Sequence, residues 1–203
     1  MDVEAAGRAG WRPVDLARAF VAGGATFLQL RGKTMSSARL LDEASAIAAL
    51  AHQARATLIV NDRADIARLS GADGVHVGQE DLAPRAVRRI VGDQAIVGLS
   101  THTAAQMDAA VREPVTYVAI GPVFGTATKD TGYAAIGLSR VREGVSRAAA
   151  AGLPLVAIGG ITLDRASDVI DAGATSVAVI GDLLATGDPE ARVREYLTRL
   201  ANV

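Results

Sequence analysis

Five charged residues of this 203-residue chain are placed where they could act together. Arg31 and Lys33 end or follow an apolar run at 26–31. Asp62 follows a run at 56–61 and Asp81 a run at 73–78. Lys129 lies with Thr126 and Thr128 in a long loop after the run at 117–123. Cations alone would suggest phosphate binding; carboxylates alone would suggest acid–base work or a divalent metal. Together they suit a metal-bound polyphosphate, because Mg²⁺ takes one or two carboxylates plus phosphate oxygens and keeps water ligands. Only two of the chain's 21 basic residues are lysines, Lys33 and Lys129, and both belong to this set. Where arginine is otherwise used, a retained lysine supplies a compact point charge. A second anion signal comes from glycines, in IGG at 158–160 and VIG at 179–181. Such loops present backbone N–H groups to a monophosphate in phosphate-binding barrels. Plainer readings stand beside these. Asp81 precedes Leu-Ala-Pro and could cap a helix. Asp62 could pair with Arg63, although the adjacent Asn61 favours a metal. No Ser–His–Asp order and no HExxH motif is present, so those hydrolase chemistries have no support.

These positions share a structural context. Apolar runs recur at 26–31, 56–61, 73–78, 95–100, 117–123, 154–160 and 176–181, each about one strand long. They are nearly continuous rather than alternating, as expected of strands buried on both faces. Helical patterns fill the intervals at 36–54, 82–91, 103–112, 138–151, 164–172 and 189–200, and another covers 14–22. The alternation predicts an α/β chain with a parallel sheet and outer helices. Seven evenly spaced strands predict a (β/α)₈ TIM barrel over an open doubly wound sheet. No GxGxxG follows the first run, which weakens dinucleotide binding. Nothing before Trp11 reads as a strand, so the first strand is missing or irregular, and a natural start further upstream is the expectation. An open barrel exposes sheet edges that favour association, so a homo-oligomer is one expected outcome. In a barrel the reacting groups come from C-terminal strand ends and the loops beyond them. Gln29, Asn61, Gln79, Ser100 and the five charges all fall there.

Composition sets the outer bounds. Half of the residues are apolar, about a fifth are charged, and the formal net charge is −1, which excludes a disordered chain and argues against a nucleic-acid partner. The absence of cysteine excludes disulfide staples, thiolate metal sites and thiol nucleophiles. No 18-residue apolar run exists and the first 25 residues lack a signal-peptide core, so no membrane partner and a cytoplasmic location are expected. The length fits a single domain over 1–203. His76, in mid-strand, reads as a core histidine or a support for neighbouring site residues. His102 reads as loop-orienting and His52 as surface or packing. Trp11, Tyr117 and Phe124 read as packing residues, and Arg85–Arg89 as a solvated helix face.

Whole motifs then add a family. QLRGK (29–33), NDRADIA (61–67), ADGVHVGQED (72–81), GLSTHT (98–103), YVAIGPVFGTATK (117–129), PLVAIGGI (154–161) and SVAVIGDL (176–183) run in one order along nearly the whole chain. In these segments the chain resembles the thiamine-phosphate synthase (thiamine-phosphate pyrophosphorylase) family. The resemblance implies a (β/α)₈ barrel that joins 4-amino-2-methyl-5-hydroxymethylpyrimidine diphosphate to a thiazole phosphate, commonly its carboxylated form. It yields thiamine phosphate and releases pyrophosphate with Mg²⁺ required. By position, Gln29, Arg31, Lys33, Asn61, Ser100 and Lys129 would hold the pyrimidine diphosphate. Asp62 and Asp81 would hold Mg²⁺. Thr126, Thr128, Gly160, Ile180 and Gly181 would hold the thiazole phosphate. The implied reaction is dissociative, so Arg31, Lys33 and Lys129 would serve as catalytic cations at the leaving group. Lys129 would sit on a loop that closes over the site and excludes water.

Three departures from the family pattern stand out. The family's opening LYLVTD-like strand is absent. Gly181 replaces a frequent Ser, which costs a hydroxyl donor worth roughly 1 kcal/mol. Phe124-Gly125-Thr126 lacks the bulkier residue often found before the Thr. The sister thiazole tautomerases share the fold and glycine motifs, but their catalytic His replaces the proline of the GP(V/I)F motif, which here is Pro122. Two further alternatives are a barrel that binds a thiamine precursor without turnover and a sugar-phosphate isomerase with a metal-free carboxylate base.

Overall fold

The computed structural model describes residues 1–125 and 132–201. Seven strands form one parallel sheet in sequential order: β1 Phe27–Leu30, β2 Thr57–Asn61, β3 Gly74–Val77, β4 Ile96–Thr101, β5 Tyr117–Ile120, β6 Leu155–Ile158 and β7 Ser176–Ala178. The helices are α1 Val3–Arg8, α2 Pro13–Ala22, α3 Ser37–Gln53, α4 Ala64–Ser70, α5 Pro84–Val91, α6 Ala104–Ala110, α7 Gly137–Ala150, α8 Leu163–Asp171 and α9 Pro189–Leu200. A 3₁₀ helix spans Gly181–Leu184. Sequential order in an all-parallel sheet puts every crossover helix on one side, and the sheet curls into a barrel wall. The (β/α)₈ expectation is met in this barrel-like form, with its first strand lacking.

The helices follow from their apolar spacing. In α3 the buried residues are Leu40, Ala44, Ile47, Ala48 and Ala51, one stripe on a 3.6-residue period. Pro13, Pro84 and Pro189 each open a helix at its first turn, where a missing N–H costs nothing. The stripes pack on strand residues such as Leu28, Leu30, Leu58, Val60, Val75 and Val97, all buried in one core. Many of the helix contacts are alanines, which let helices approach the sheet closely.

Two helical segments escape the sequence pattern. α1 begins at residue 3, and its N-cap is Asp2, whose Oδ1 accepts the Ala5 amide at 2.9 Å. α4 has only seven residues, too short for a periodic signal. Conversely, several predicted strands are shortened at their C-terminal ends. Gly121–Val123, Gly159–Gly160 and Val179–Ile180 leave the ladder, and Gly181 opens the 3₁₀ helix. Those are the residues at the barrel mouth, where backbone groups turn from pairing toward a ligand.

The place of an eighth strand holds only a short bridge. Asp2 pairs in parallel with Arg31, through Val3 N to Arg31 O and Arg31 N to Met1 O. Among the described residues no strand covers the outer edge of β7. The helical layer nevertheless closes, with α2 packed against α9. At the open seam Phe27 meets Tyr117 edge-on at 6.0 Å across the barrel interior, yet remains 50% exposed.

Candidate active site

The parallel sheet sends the C-terminal ends of all seven strands to one face. At the β1–β3 corner, Asp62 follows β2 with φ +63°, an uncommon conformation for a non-glycine residue. Its amide donates to His76 O at 2.7 Å, adding one rung to the β2–β3 ladder before the chain turns into α4. Such strain, worth ~1–3 kcal/mol, persists where the surroundings over-determine it and is concentrated at functional sites. Asp62 Oδ2 lies 3.3 Å from Lys33 Nζ. Burial pushes the Asp62 carboxyl above the usual carboxylate range, and hydrogen bonding to Asp81 and that residue's charge push it further; Lys33 opposes the shift. Asp81 is held in turn by the Gly78 amide, which donates to its Oδ2 at 2.7 Å.

Both plainer readings of these carboxylates therefore fail. The N-cap of α5 is Ala83, not Asp81. Arg63 pairs with Asp65 at 2.6 Å rather than with Asp62. Asp81 pushes the Asp62 carboxyl up, so the two carboxylates repel when both are ionised, and a shared cation removes that cost. Among the described residues there is no group of three or more metal-ligating His, Cys, Asp or Glu side chains. Two carboxylates completed by water and phosphate oxygens are the donor set that suits Mg²⁺.

Arg31 enters this corner already paired. Its Nη1 donates to Asp2 Oδ2 at 2.5 Å, and both side chains are largely buried. Its Nε is buried without a hydrogen-bond partner. Glu4 beside it accepts from the Thr34 amide and hydroxyl, tying α1 to the loop that carries Lys33.

Inside the barrel, His76, Gly98 and Tyr117 are register neighbours on β3, β4 and β5. Gly98 makes room for the pair on either side: a Cβ there would lie 2.1 Å from Tyr117 Cζ and 2.4 Å from His76 Nδ1. Across this gap His76 Nδ1 and the Tyr117 hydroxyl lie at 2.8 Å, and His76 Nε2 and Ser100 Oγ at 2.8 Å. Burial pushes the Tyr117 hydroxyl pKa well up, and a hydrogen bond from Gln29 opposes that shift. Gln79 Nε2 reaches the Ser100 carbonyl at 2.6 Å. Thus Ser100, expected from sequence as a ligand-binding residue, is joined to Tyr117 through His76. Asn61 ends β2 opposite His76.

On the β5–β7 side, Gly159 and Gly160 both have positive φ. A Cβ on Gly160 would meet Gly125 O at 2.4 Å, so glycine is required for the close approach of the loop after β5. Ile180 precedes the 3₁₀ helix that starts at Gly181. Asp182 clamps that turn. Its Oδ2 accepts from Arg192 Nη2 at 2.8 Å, Tyr196 Oη at 2.7 Å and the Leu163 amide at 3.2 Å. Arg165 lies over the Phe124 ring at 4.8 Å. Beyond the loop, Tyr133 stacks on His102 with ring centroids 4.0 Å apart. Thr126, Thr128 and Lys129 lie outside the described residues.

Sequence reasoning did not single out Asp2, Tyr117's hydroxyl, Asp182 or Arg192. Tyr117 offered one signal, a phenol in an aliphatic strand that must find a partner when buried.

The family model described as thiamine monophosphate synthase matches residues 5–183. The chain is 46% identical over 181 residues to a thiamine-phosphate synthase of Koribacter versatilis, covering 89% of this chain and 83% of that protein. It is 44% identical over 187 residues to one of Methanoculleus marisnigri, covering 92% and 87%. Among solved structures it is similar to the thiamine phosphate pyrophosphorylase from Pyrococcus furiosus, with a TM-score of 0.85 at 28% identity, covering 93% and 89%. At 16% identity, a 3-hexulose-6-phosphate synthase superposes with a TM-score of 0.66 and shares the fold.

Proposed function

The chain belongs to the thiamine monophosphate synthase family, and from that premise we propose that it joins an aminopyrimidine-methyl diphosphate to a thiazole phosphate. The methylene C–O bond breaks, pyrophosphate leaves with the electron pair, and the thiazole nitrogen forms the new C–N bond of thiamine phosphate. The observation that carries this reading is the ion pair of Asp62 with Lys33 at one strand-end corner, where Asp81 raises the Asp62 carboxyl.

In this reading Asp62 and Asp81 hold Mg²⁺. The bound ion would supply positive charge to the diphosphate as it becomes the leaving group. Lys33 faces the same oxygens and adds a fixed charge. Arg31 is oriented by Asp2 and keeps donors for the diphosphate. Lys129 adds a third cation from the loop after β5. Stabilising a departing anion asks for preorganised charge more than for a general base. Gln29, Asn61 and Ser100 seat the pyrimidine. The backbone at Gly160, Ile180 and Gly181, with Thr126 and Thr128, holds the thiazole phosphate. The Asp182 clamp fixes the backbone that does so.

Pyrophosphate release, followed with each component omitted in turn, tests the reading. Release should require the pyrimidine diphosphate, the thiazole phosphate and Mg²⁺ together, and should collapse in Asp62→Asn and Asp81→Asn. Release that persists in both variants would overturn the role given to the two carboxylates.

A further inference from the structure

The connection from β5 to α7 is held from two opposite sides. Where it begins, Val123 N donates to Ile158 O at 2.9 Å and Phe124 N to Gly159 O at 3.0 Å, and Arg165 covers the Phe124 ring, all on the β6 side. Where it ends, Ile136 N and Gly137 N return to Pro122 O and Val123 O at 2.9 and 3.0 Å and close its base. Just before that closure Tyr133 leans the other way, onto the end of β4 and the start of α6. Its ring lies on the His102 ring, with centroids 4.0 Å apart and planes 13° apart. Its hydroxyl accepts from Gln106 Nε2 at 3.1 Å.

The seat that receives Tyr133 is built from other elements. His102 Nδ1 donates to Gly121 O at 2.6 Å, which sets the ring across the ends of β4 and β5. Gln106 Oε1 accepts the His102 amide at 2.7 Å, so the opposite, donating end of that side chain is the one turned to Tyr133. The Gln106 amide in turn donates to Thr103 Oγ1 at 3.2 Å, the N-cap of α6. Tyr133 itself stays 41% exposed, so its ring adds little to the core. What the contact fixes is the place of the chain. Lys129 precedes Tyr133 by four positions, so their Cα atoms lie within about 14 Å of each other.

We propose that Tyr133 is a positioning residue, whose docking on the His102–Gln106 seat holds the Lys129 segment in place so that its ammonium meets the leaving group as preorganised charge. This rests on the function proposed above and assigns the seat to β4–α6. Charge held in advance stabilises a departing anion without reorganising at the moment of reaction, and an ammonium displaced by an ångström loses much of that effect.

A double-mutant cycle tests it, with kcat/KM measured for wild type, Tyr133→Ala, Lys129→Ala and the double variant. Tyr133→Ala should lower kcat/KM about tenfold, and Tyr133→Phe, which keeps the stack, should stay within about threefold of wild type. In the Lys129→Ala background, Tyr133→Ala should cost less than about twofold, because no ammonium is left to position. A full tenfold loss in that background would make Tyr133 a structural residue and overturn the proposal, as would unchanged activity in Tyr133→Ala alone. A readout without turnover is the ¹H signal of the His102 Cε1 proton, assigned by its loss in His102→Gln. The stacked ring should hold it upfield of its position in Tyr133→Ala, and the same position in both would overturn the docking. A wild-type chain that forms no product refutes the function proposed above and the positioning role with it, whereas turnover with additive losses refutes the role of Tyr133 alone.

Discussion

Replacing Asp182 with asparagine should weaken one side of the barrel mouth and spare the other. Asp182 Oδ2 accepts from Arg192 Nη2 and Nε at 2.8 and 3.1 Å, from Tyr196 Oη at 2.7 Å and from Leu163 N at 3.2 Å. Asparagine keeps the shape and one carbonyl oxygen but loses the charge. Hydrogen bonds to a charged group are worth ~1.5–3 kcal/mol net, against ~1 kcal/mol for neutral ones. Arg192 also keeps Glu195 at 2.6 Å, so its cation is not stranded. The loss should therefore be ~2–3 kcal/mol rather than the ~3–5 kcal/mol of a buried charge left alone. At ~2–4 °C per kcal/mol for a chain of this size, Tm should fall by roughly 4–12 °C. The 3₁₀ helix would lose its anchor, so KM for the thiazole phosphate should rise about tenfold, equivalent to ~1.4 kcal/mol. KM for the pyrimidine diphosphate, held mainly from β1–β4 with Lys129 from the loop after β5, should stay within about twofold. Thermal melts and two-substrate kinetics on the same preparation check this. A lowered Tm with both KM values unchanged would refute the assignment of the 3₁₀ helix to the phosphate. An unchanged Tm would refute the clamp.

Asp62→Asn should raise the Mg²⁺ concentration needed for half-maximal activity by more than about tenfold. In metal-free buffer the same variant should melt no lower than wild type, since its contact with Asp81 loses like-charge repulsion; a marked fall in the metal-free melt would count against this. Gly160→Ala combines positive-φ strain with a Cβ 2.4 Å from Gly125 O, and should cost ~2–5 kcal/mol by urea unfolding. A loss below ~1 kcal/mol would show that the loop after β5 adjusts freely. Burial raises the Glu4 carboxyl, but the Thr34 hydroxyl and amide bonds, with the charge of Arg31, more than offset this and hold it below its ordinary value. Its stabilisation is therefore present above the ordinary carboxylate pKa of 4.5 and is lost as pH falls through the lower folded value. Glu4→Gln should flatten the fall of the urea midpoint over that acidic window, and an equal slope would contradict the tie.

Much of the wall of this barrel was legible because burial on both faces writes a continuous apolar run. Such runs marked all seven strands, and their order in an α/β alternation implied the parallel sheet. The strand ends were misjudged where glycine and apolar residues continue past the last rung, as at Gly159-Gly160 and Val179-Ile180. Apolarity marks burial and says nothing about where pairing stops. α1 and α4 were missed because one or two turns carry no period. At the site, Lys33, Asp62 and Asp81 could be placed together because each follows a strand in a parallel sheet. The pairing of Arg31 with Asp2 could not be seen, since it depends on a bridge 29 positions apart in sequence. Arg88, read as part of a solvated face, instead spends its guanidinium on the carbonyls of Gly92, Asp93, Ala95 and Pro114 and on Thr116 Oγ1. Charge patterning cannot distinguish a solvated arginine from one that staples two loops. His76 reads from sequence as a supporting residue, and its two ring contacts give that reading content.

The most direct test of the central claim is mass detection of thiamine phosphate formed by this chain from the aminopyrimidine diphosphate and thiazole phosphate. The reaction should yield product with Mg²⁺, stop when the metal is chelated, and resume when Mg²⁺ is restored. Failure to form product with both substrates and Mg²⁺ present, or product formation indifferent to chelation, would contradict the reaction or the role of the Asp62–Asp81 pair.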